Sequence, residues 1–235
     1  SAQEIYISEI SDGLVWDALD FGTVESTEDP QVAVFADRKE LRFYGQKRTH
    51  IYFNSGNIDF PLEPRPGGIF EFGCGAAKSI ARIGGSVCWL GRNENGQGTV
   101  YQESGYQPKR ISDHAIENAF KGYSTIADAV GWGQEDGGHL FYWLWFPTAE
   151  KTWVCDLTYG QPFWHERAYW NTVTGLYEAH RASCYAHFAG KHIVGDRLLP
   201  ILYEMSDTVY TDNGAPIRRL RRAAHLQKSK PSRQK

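Results

Sequence analysis

The sequence predicts an all-β protein, arranged as a β-propeller-like array of about four blades, each with four strands in about 50 residues. Three observations lead to this prediction. Short apolar runs are separated by turn residues along most of the chain, aromatic residues make up 14% of it, and one hairpin-like pattern recurs four times. Such a repeat is typical of propeller blades, because each blade buries its two faces by stacking on its neighbours.

The recurring pattern is a short apolar strand, a polar turn and a second short apolar strand. It occurs at residues 40–53, 86–102, 139–157 and 192–205. In the second copy, Asn95-Gly96 is a strong hairpin signal. Another short strand precedes each copy and ends at a tight turn, and these turns fall at Asp37, Gly84, Gly137 and Gly190, spaced 47, 53 and 53 residues apart. The repeat favours blades over a sandwich or a Greek-key barrel, in which strands would follow one another at shorter spacing.

A fourth strand is expected after each hairpin, at residues 58–62, 109–112, 163–168 and 217–220. Residues 1–31 are expected to supply part of a further blade, because residues 14–21 alternate apolar and polar side chains. Four repeats do not close a ring by themselves. Two alternatives remain. Either the ring is closed by something outside this chain, or the sequence is shortened.

One segment departs from the strand pattern. Within residues 112–123, Ile116, Ala119 and Phe120 recur at helical spacing, and Ser112 is a suitable N-cap. These features predict a short helix, inserted between two strands of the second blade.

The apolar run at residues 140–147 is eight residues long, whereas a membrane-spanning helix needs about 20. Residues 1–10 contain two acidic residues and no apolar core, so they do not read as a secretion signal. We therefore expect no membrane segment. Phe141, Trp143 and Trp145 are expected to fill the space between blades, because blade packing uses flat, bulky side chains.

No residue pattern predicts a metal or a cofactor. The chain has four cysteines and no C-x-x-C pair: Cys74, Cys88, Cys155 and Cys184. Each lies beside apolar or small residues, so we expect reduced, packed thiols rather than a zinc site. His180, His187 and His192 are close in sequence, but His180 and His187 are expected on opposite sides of a strand.

The net charge is −3, yet residues 218–235 contain eight Lys or Arg residues and no Asp or Glu. The predicted organisation is a propeller-like domain at residues 1–217 and a basic tail at residues 218–235. Clustered cations bind phosphate nonspecifically, and the candidate residues for contact with DNA or a protein partner are Arg218, Arg219, Arg221 and Arg222. The alternative is a solvated tail, because this stretch has no aromatic side chain on which bases could stack.

Two further motifs are interpreted as ordinary structure. In the segment FWHER, His165 and Glu166 are adjacent on a strand and point to opposite faces, so we interpret them as rim residues. In the segment GQEDGG, Glu135 and Asp136 lack the acidic spacing of a calcium loop. This segment is therefore predicted to be a turn between strands.

Six segments, in this order and spacing, resemble one protein family. They are ALDFGTVESTEDP, FGCGAAKSIARIGGSVCWLGR, VYQESGYQPKRISDHAIE, GHLFYWLWFPTAEKTWVCDL, FWHER and IVGDR, and the likeness extends over about residues 17–226. They resemble the packaged-DNA stabilisation proteins of short-tailed bacteriophages and prophages, which are also called tail hub or tail accessory proteins. Family members usually continue well beyond the segment IRRLRRAAHL, whereas this chain stops nine residues after Leu226.

The resemblance implies a structural role in the virion tail rather than an enzymatic one. It implies a homo-oligomeric ring below the portal and adaptor proteins that closes the exit channel, retains the packaged DNA and connects to the tail needle. It implies no catalytic residues, and nonspecific contact of the basic cluster with packaged DNA would suit this role. No cofactor is expected. Before assembly, the protein would reside in the cytoplasm of the bacterial host.

An alternative function from another class is a propeller lectin or glycoside hydrolase that acts on surface glycans. The aromatic content motivates it, because exposed Trp and Tyr rings stack on sugars. This hypothesis predicts several exposed tryptophans around a central cleft and two carboxyl groups roughly 5–10 Å apart. Tryptophans buried between blades would remove its basis.

Overall fold

The computed structural model describes residues 4–9, 11–23, 29–57, 60–92 and 96–221. Within these ranges, antiparallel strands form three four-stranded sheets, one three-stranded sheet and three two-stranded hairpins. The predicted all-β class is confirmed, and the four larger sheets coincide with the four sequence repeats. We number these sheets blades 1 to 4 in chain order.

The described chain begins with a hairpin rather than with part of a blade. Its two strands are β1 (Glu4–Tyr6) and β2 (Phe21–Thr23), which pair antiparallel. In place of the partial blade expected within residues 1–31, the described residues form this hairpin, and residues 14–20 contain turns and no strand. Ile5 packs against Phe43 and Tyr52, so the hairpin covers part of the outward face of blade 1.

Blades 1 and 2 each have four strands. Blade 1 consists of β3 (Gln31–Asp37), β4 (Glu40–Gly45), β5 (Thr49–Asn54) and β6 (Leu62–Phe70). Blade 2 consists of β7 (Ala81–Ile83), β8 (Ser86–Arg92), β9 (Gly98–Glu103) and β10 (Pro108–Arg110), preceded by the 3-10 helix Ala77–Ser79. The outer strand expected at residues 58–62 begins at Leu62 instead, while residues 58 and 59 lie outside the described ranges, as does Asn95 of the predicted turn.

The predicted helix is present as α1 (His114–Lys121), but two details of the prediction are wrong. It follows the outer strand β10 and therefore connects blades 2 and 3 rather than two strands of one blade. Asp113 is the N-cap, since its carboxylate accepts a hydrogen bond of 2.9 Å from the Ile116 amide. The hydroxyl of Ser112 instead accepts from the Val100 amide and donates to Glu117.

Replacing Asp113 with alanine is expected to destabilise the protein by about 1 kcal/mol, because the Ile116 amide loses its capping acceptor. Asn is an equally good N-cap, so Asp113→Asn is the matched control and is expected to stay close to the wild type. The urea midpoints of the three proteins provide the measurement. A loss as large in the asparagine variant as in the alanine variant would assign the effect to charge rather than to capping.

Blade 3 is complete, and blade 4 has three strands. Blade 3 consists of β11 (Val130–Asp136), β12 (His139–Phe146), β13 (Lys151–Asp156) and β14 (Phe163–Glu166). A hairpin of β15 (Ala168–Asn171) and β16 (Leu176–Ala179) then leads to blade 4, which consists of β17 (Ala182–Phe188), β18 (Lys191–Asp196) and β19 (Leu202–Met205). The small hairpin of β20 (Thr211–Asp212) and β21 (Ala215–Pro216) follows.

The outer strand predicted at residues 217–220 is absent, because this segment has no regular structure. Asn213 and Gly214 turn the chain back on itself with φ angles of 48° and 80°, which produces the β20–β21 hairpin instead. Pro216, which pairs with Thr211 at the end of this hairpin, has no backbone N–H to donate to a sheet.

The same two-residue turn joins the first two strands of every blade. Both central residues have positive φ in each blade, as a type I′ hairpin requires. The pairs are Arg38-Lys39, Gly84-Gly85, Gly137-Gly138 and Ala189-Gly190. This confirms the predicted turns. Blade 1 adopts the geometry without glycine, and there Arg38 donates a hydrogen bond of 2.6 Å to the carbonyl of Gly85 in blade 2.

Blades 1 and 2 meet through aromatic rings and a buried ion pair. Tyr44 and Trp89 are fully buried, with their ring centroids 5.3 Å apart. Beside them, the Arg42 guanidinium donates two hydrogen bonds of 2.9 Å to the Glu103 carboxylate. Asp37 lies 3.4 Å from the same guanidinium. All three charged side chains are at most 5% exposed, and Asp37 has a second cation, the more exposed Arg82, at 3.4 Å.

Blades 2 and 3 enclose the largest apolar cluster. Leu90 from blade 2 and Leu144 from blade 3 are fully buried in it. Helix α1 contributes Phe120, whose ring centroid lies 4.9 Å from that of Phe146. The helix thus closes the outer side of this interface, which explains why the connection between these two blades is longer than a turn.

Blades 3 and 4 meet through tryptophans. Trp143 is fully buried and stacks on Trp132, with ring centroids 5.4 Å apart. Val194 of blade 4 belongs to the same cluster, and Phe141 and Trp145 pack against its edge while remaining partly buried. The prediction that these aromatic residues lie between blades is confirmed.

The inner strands of blades 2 and 3 approach each other closely. A Cβ atom added to Gly131 would lie 2.4 Å from the carbonyl oxygen of Ser79, and one added to Gly133 would lie 2.4 Å from that of Arg82. Only glycine permits this distance between the backbones. The two glycines therefore set how tightly the inner strands surround the propeller axis.

The outward face of blade 4 is not covered by any described residue. Phe188 is 74% exposed and Leu202 is 73% exposed. Cys184 lies on the same face and is exposed, whereas Cys74, Cys88 and Cys155 are buried. The expectation of four packed thiols is therefore wrong for Cys184. No helix in the described ranges has the length and apolarity needed to cross a membrane.

Candidate interaction surfaces

The predicted basic residues lie on an exposed segment that follows β21, and we call residues 217–221 the basic segment. Arg218 is held in place, because its guanidinium carbon lies 4.0 Å from the ring centroid of Trp170 and 5.7 Å from that of Tyr177. Arg219 and Arg221 are exposed, and no carboxylate of the described residues lies within ion-pair distance of them. Arg222 lies outside the described residues.

Sequence reasoning missed the aromatic partners of Arg218. The basic tail itself has no aromatic residue, but the fold brings the β15–β16 hairpin next to it. Trp170 and Tyr177 are opposite each other on that hairpin, with ring centroids 4.8 Å apart. No local signal could reveal this contact, because Trp170 precedes Arg218 by 48 residues.

A second exposed surface lies at the other end of the array, and we call residue 9 together with residues 11–20 the N-terminal surface. Leu14 is 91% exposed, Leu19 is 81% exposed and Trp16 is 59% exposed. Asp12 and Asp17 accept hydrogen bonds of 3.0 and 2.9 Å from the amides of Leu14 and Leu19. The loop is therefore shaped by its own polar groups while its apolar side chains face water.

A cavity of about 300 Å³ lies at the interface between blades 3 and 4. Its lining consists of Gln134, Asp136, Gly137, His139, Phe141, Arg167, Met205, Ser206 and Asp207. The guanidinium of Arg167 lies 4.6 Å from the ring centroid of Trp143, and burial lowers the pKa of Arg167. Since two carboxylates share the cavity with this arginine, the lining has mixed charge and favours neither anions nor cations.

The weak motifs of the sequence have ordinary roles at this interface. Glu166 is exposed at the rim and forms an ion pair of 2.7 Å with Lys151, as the rim interpretation predicted. His165 differs from the prediction, because it is half-buried rather than solvated. Glu135 and Asp136 end strand β11 at the Gly137-Gly138 turn, so the predicted turn is confirmed.

The histidines are dispersed over this interface. His180 precedes strand β17 and lies against Trp143, with ring centroids 5.3 Å apart. The rings of His187 and His192 are 5.1 Å apart. Among the residues that the structure describes, no group of three or more His, Cys, Asp or Glu side chains is placed to hold a metal ion.

Burial and then the charge of Arg167 lower the pKa of both His165 and His180 to about 4. In the unfolded chain such side chains titrate near 6.5. Between these values the unfolded chain binds more protons than the folded protein. The two neutral histidines therefore make their full contribution to the free energy of unfolding above about pH 6.5. This contribution is lost as the pH falls towards 4.

Replacing His180 with glutamine is expected to reduce this loss by about 1 kcal/mol between pH 7 and pH 4.5, after allowance for partial exposure. The urea midpoint measured at both pH values gives the change in each protein. His114→Gln is the matched control, because His114 is exposed at the first position of α1. An identical loss of stability in the wild type and in the His180→Gln variant would contradict this account.

The glycan hypothesis loses its motivating observation. Trp143 is fully buried between blades, Trp89 is fully buried in the interface of blades 1 and 2, and Arg167 covers the ring of Trp143. Asp156, the carboxylate nearest in sequence to the segment FWHER, accepts a hydrogen bond from Thr158 and bonds His139 at 3.0 Å. These tryptophans do not surround a cleft.

The stacked four-stranded antiparallel sheets, with inner strands in close contact, define the class of this protein as a β-propeller. A family described as bacteriophage P22 Gp10, beta-propeller, matches residues 1–210, and the chain belongs to this family of phage stabilisation proteins. It is a phage structural protein of the virion that stabilises packaged DNA, as the six sequence segments implied. No curated protein matches the chain.

Proposed function

We propose that the protein is a component of the tail hub, which closes the portal vertex, retains the packaged DNA and links the adaptor to the tail needle. The observation that carries this proposal is the family match over residues 1–210. The proposed partners are the portal and adaptor proteins, the needle, and further copies of the chain in a ring. The protein would be in the host cytoplasm before it joins the virion tail.

The exposed surfaces support a function that depends on assembly. The outward face of blade 4 exposes Phe188 and Leu202, and the N-terminal surface exposes Leu14 and Leu19. Apolar patches of this kind mark sites of contact with other proteins. We further propose that residues 1–217 form the assembling domain and that residues 218–235 form a basic tail.

The basic tail is the proposed site of contact with DNA or with a partner. Arg218, Arg219 and Arg221 provide three exposed cations without an ion-pair partner among the described residues, and Arg222 adds a fourth by sequence. Cations on an exposed segment attract phosphate without regard to base sequence.

The test is a phage in which this gene has been deleted, complemented with the chain supplied from a plasmid. Particles made without the chain are expected to lose their DNA, which would be measured as genome copies protected from nuclease. Complementation is expected to restore protection and to place the chain in purified particles. Particles that protect their DNA equally well without the chain, and that exclude it when it is supplied, would overturn the proposal.

A further inference from the structure

We propose that the N-terminal surface of one copy binds the basic segment of a second copy, so that the chains assemble head to tail. This inference deepens the proposed ring and rests on it. It identifies the two surfaces that meet, and it assigns the basic segment to contact between protein copies.

The N-terminal surface is acidic and apolar at once. From residue 4 to residue 23 the chain has five acidic residues and no Lys or Arg. Leu14 and Leu19 are almost fully exposed, although hydrogen bonds from their amides to Asp12 and Asp17 fix the loop. A loop that is ordered by polar contacts while it presents leucines to water is already shaped to bind a partner.

The basic segment has the complementary composition. Its sequence is IRRLR, in which Ile217 is 41% exposed and Leu220 is 58% exposed. Arg218 is anchored over Trp170, which fixes the start of the segment. The remaining arginines face solvent. Apolar and basic residues are thus mixed here, just as apolar and acidic residues are mixed on the N-terminal surface.

The two surfaces are at opposite ends of the array. The β1–β2 hairpin packs on blade 1 through Ile5, Phe43 and Tyr52. The basic segment lies on the β15–β16 hairpin, which leads into blade 4. Among the described residues, no hydrogen bond, ion pair or ring contact joins the two surfaces, so each can meet its counterpart on another copy. A contact between different surfaces of identical chains produces rings or filaments.

Contact between two copies of the chain accounts for more of the exposed residues than contact with DNA does. Phosphate would bind the arginines, but it would leave Leu14, Leu19, Ile217 and Leu220 exposed, and the acidic surface would repel it. A second copy satisfies both surfaces at once, because leucines pack on apolar residues while carboxylates face guanidinium groups.

The test exchanges the charges of the two surfaces. One variant carries Glu9→Lys and Asp20→Lys, which leaves the loop-forming Asp12 and Asp17 intact. The other carries Arg219→Glu and Arg221→Glu, which leaves Arg218 on Trp170. Each variant alone is expected to self-associate at least about tenfold more weakly than the wild type. An equimolar mixture is expected to regain association, because every contact in it again pairs opposite charges. Sedimentation velocity over a range of concentrations measures both effects.

The matched control is Lys78→Glu with Lys109→Glu, which makes the same change in net charge as the arginine variant at two exposed positions elsewhere. It is expected to self-associate like the wild type. An equal loss in this control, or a mixture that stays monomeric, would overturn the inference. So would an arginine variant that loses affinity for duplex DNA but associates normally. A wild-type chain that remains monomeric but enters particles would refute the self-contact alone and leave the proposed function standing.

Discussion

Replacing Arg42 with methionine is expected to destabilise the protein by about 3–5 kcal/mol, because the change leaves the buried Glu103 carboxylate without its cation, while Asp37 keeps Arg82 at 3.4 Å. Glu103 would lose two hydrogen bonds of 2.9 Å, and Asp37 would lose a neighbouring charge at 3.4 Å. Both carboxylates are almost completely shielded from water. The urea midpoint at pH 7, converted to a free energy of unfolding, gives the measurement.

Lys191→Met is the matched control, because Lys191 and Glu204 form an ion pair of 2.7 Å that is exposed. Exposed pairs contribute at most about 1 kcal/mol. The double variant Arg42→Met with Glu103→Met is expected to regain part of the lost stability, since the carboxylate left unpaired by the first change is removed by the second. Equal effects of Arg42→Met and Lys191→Met would show that the buried group is not held by charge pairing.

Replacing Trp143 with alanine is the second large change, with an expected loss of about 3–5 kcal/mol. The side chain is fully buried, stacks on Trp132 and supports the guanidinium of Arg167. Its removal also deprives the amide oxygen of Gln134 of a hydrogen bond of 2.9 Å. The residual cavity would lie between blades 3 and 4, so the damage should be greatest there.

Hydrogen exchange measured by mass spectrometry locates that damage. Protection is expected to fall in strands β17 to β19 of blade 4, while β4 and β5 of blade 1 keep theirs, because stacked blades contact only their neighbours. Trp16→Ala is the matched control, since Trp16 is 59% exposed and should cost little stability. A uniform loss of protection over all four blades would contradict the expectation that the interfaces are independent.

The repeat could be predicted because its signals are local. Each blade begins with a strand and a two-residue turn, and glycine at three of the four turns marks the backbone conformation that the turn needs. The missing strand at residues 217–220 was harder to anticipate. The strand propensity of this segment competes with the turn at Asn213 and Gly214. That turn folds the chain into the β20–β21 hairpin instead of directing it along blade 4.

The start of helix α1 shows a similar limit. Ser112 and Asp113 are both good N-caps, so composition alone does not choose between them. The choice depends on a tertiary contact, because the hydroxyl of Ser112 is already engaged by Val100 and Glu117. The spacing of apolar residues located the helix correctly, but the N-cap is Asp113 rather than Ser112.

The candidate surfaces, too, could be predicted from the sequence only in part. Arg218, Arg219 and Arg221 could be identified from charge alone, whereas the platform of Trp170 could not, because it is formed by a distant hairpin. The alternation at residues 14–21 predicted part of a further blade, whereas residues 14–20 form the loop between β1 and β2. The acidic residues between the leucines were the overlooked signal, because Asp side chains accept hydrogen bonds from amides two residues ahead and favour turns.

Blade 4 can be labelled selectively, because it carries the exposed thiol of Cys184. Burial raises the pKa of Cys74 to about 11 and raises the pKa of Cys88 and Cys155 as well, so these three remain protonated and unreactive at neutral pH. Cys184 is the exposed thiol among the four. A maleimide dye or a gold cluster would therefore attach to the unmodified protein at one known position. Within an assembled particle, that label would report the orientation of the propeller relative to the tail axis.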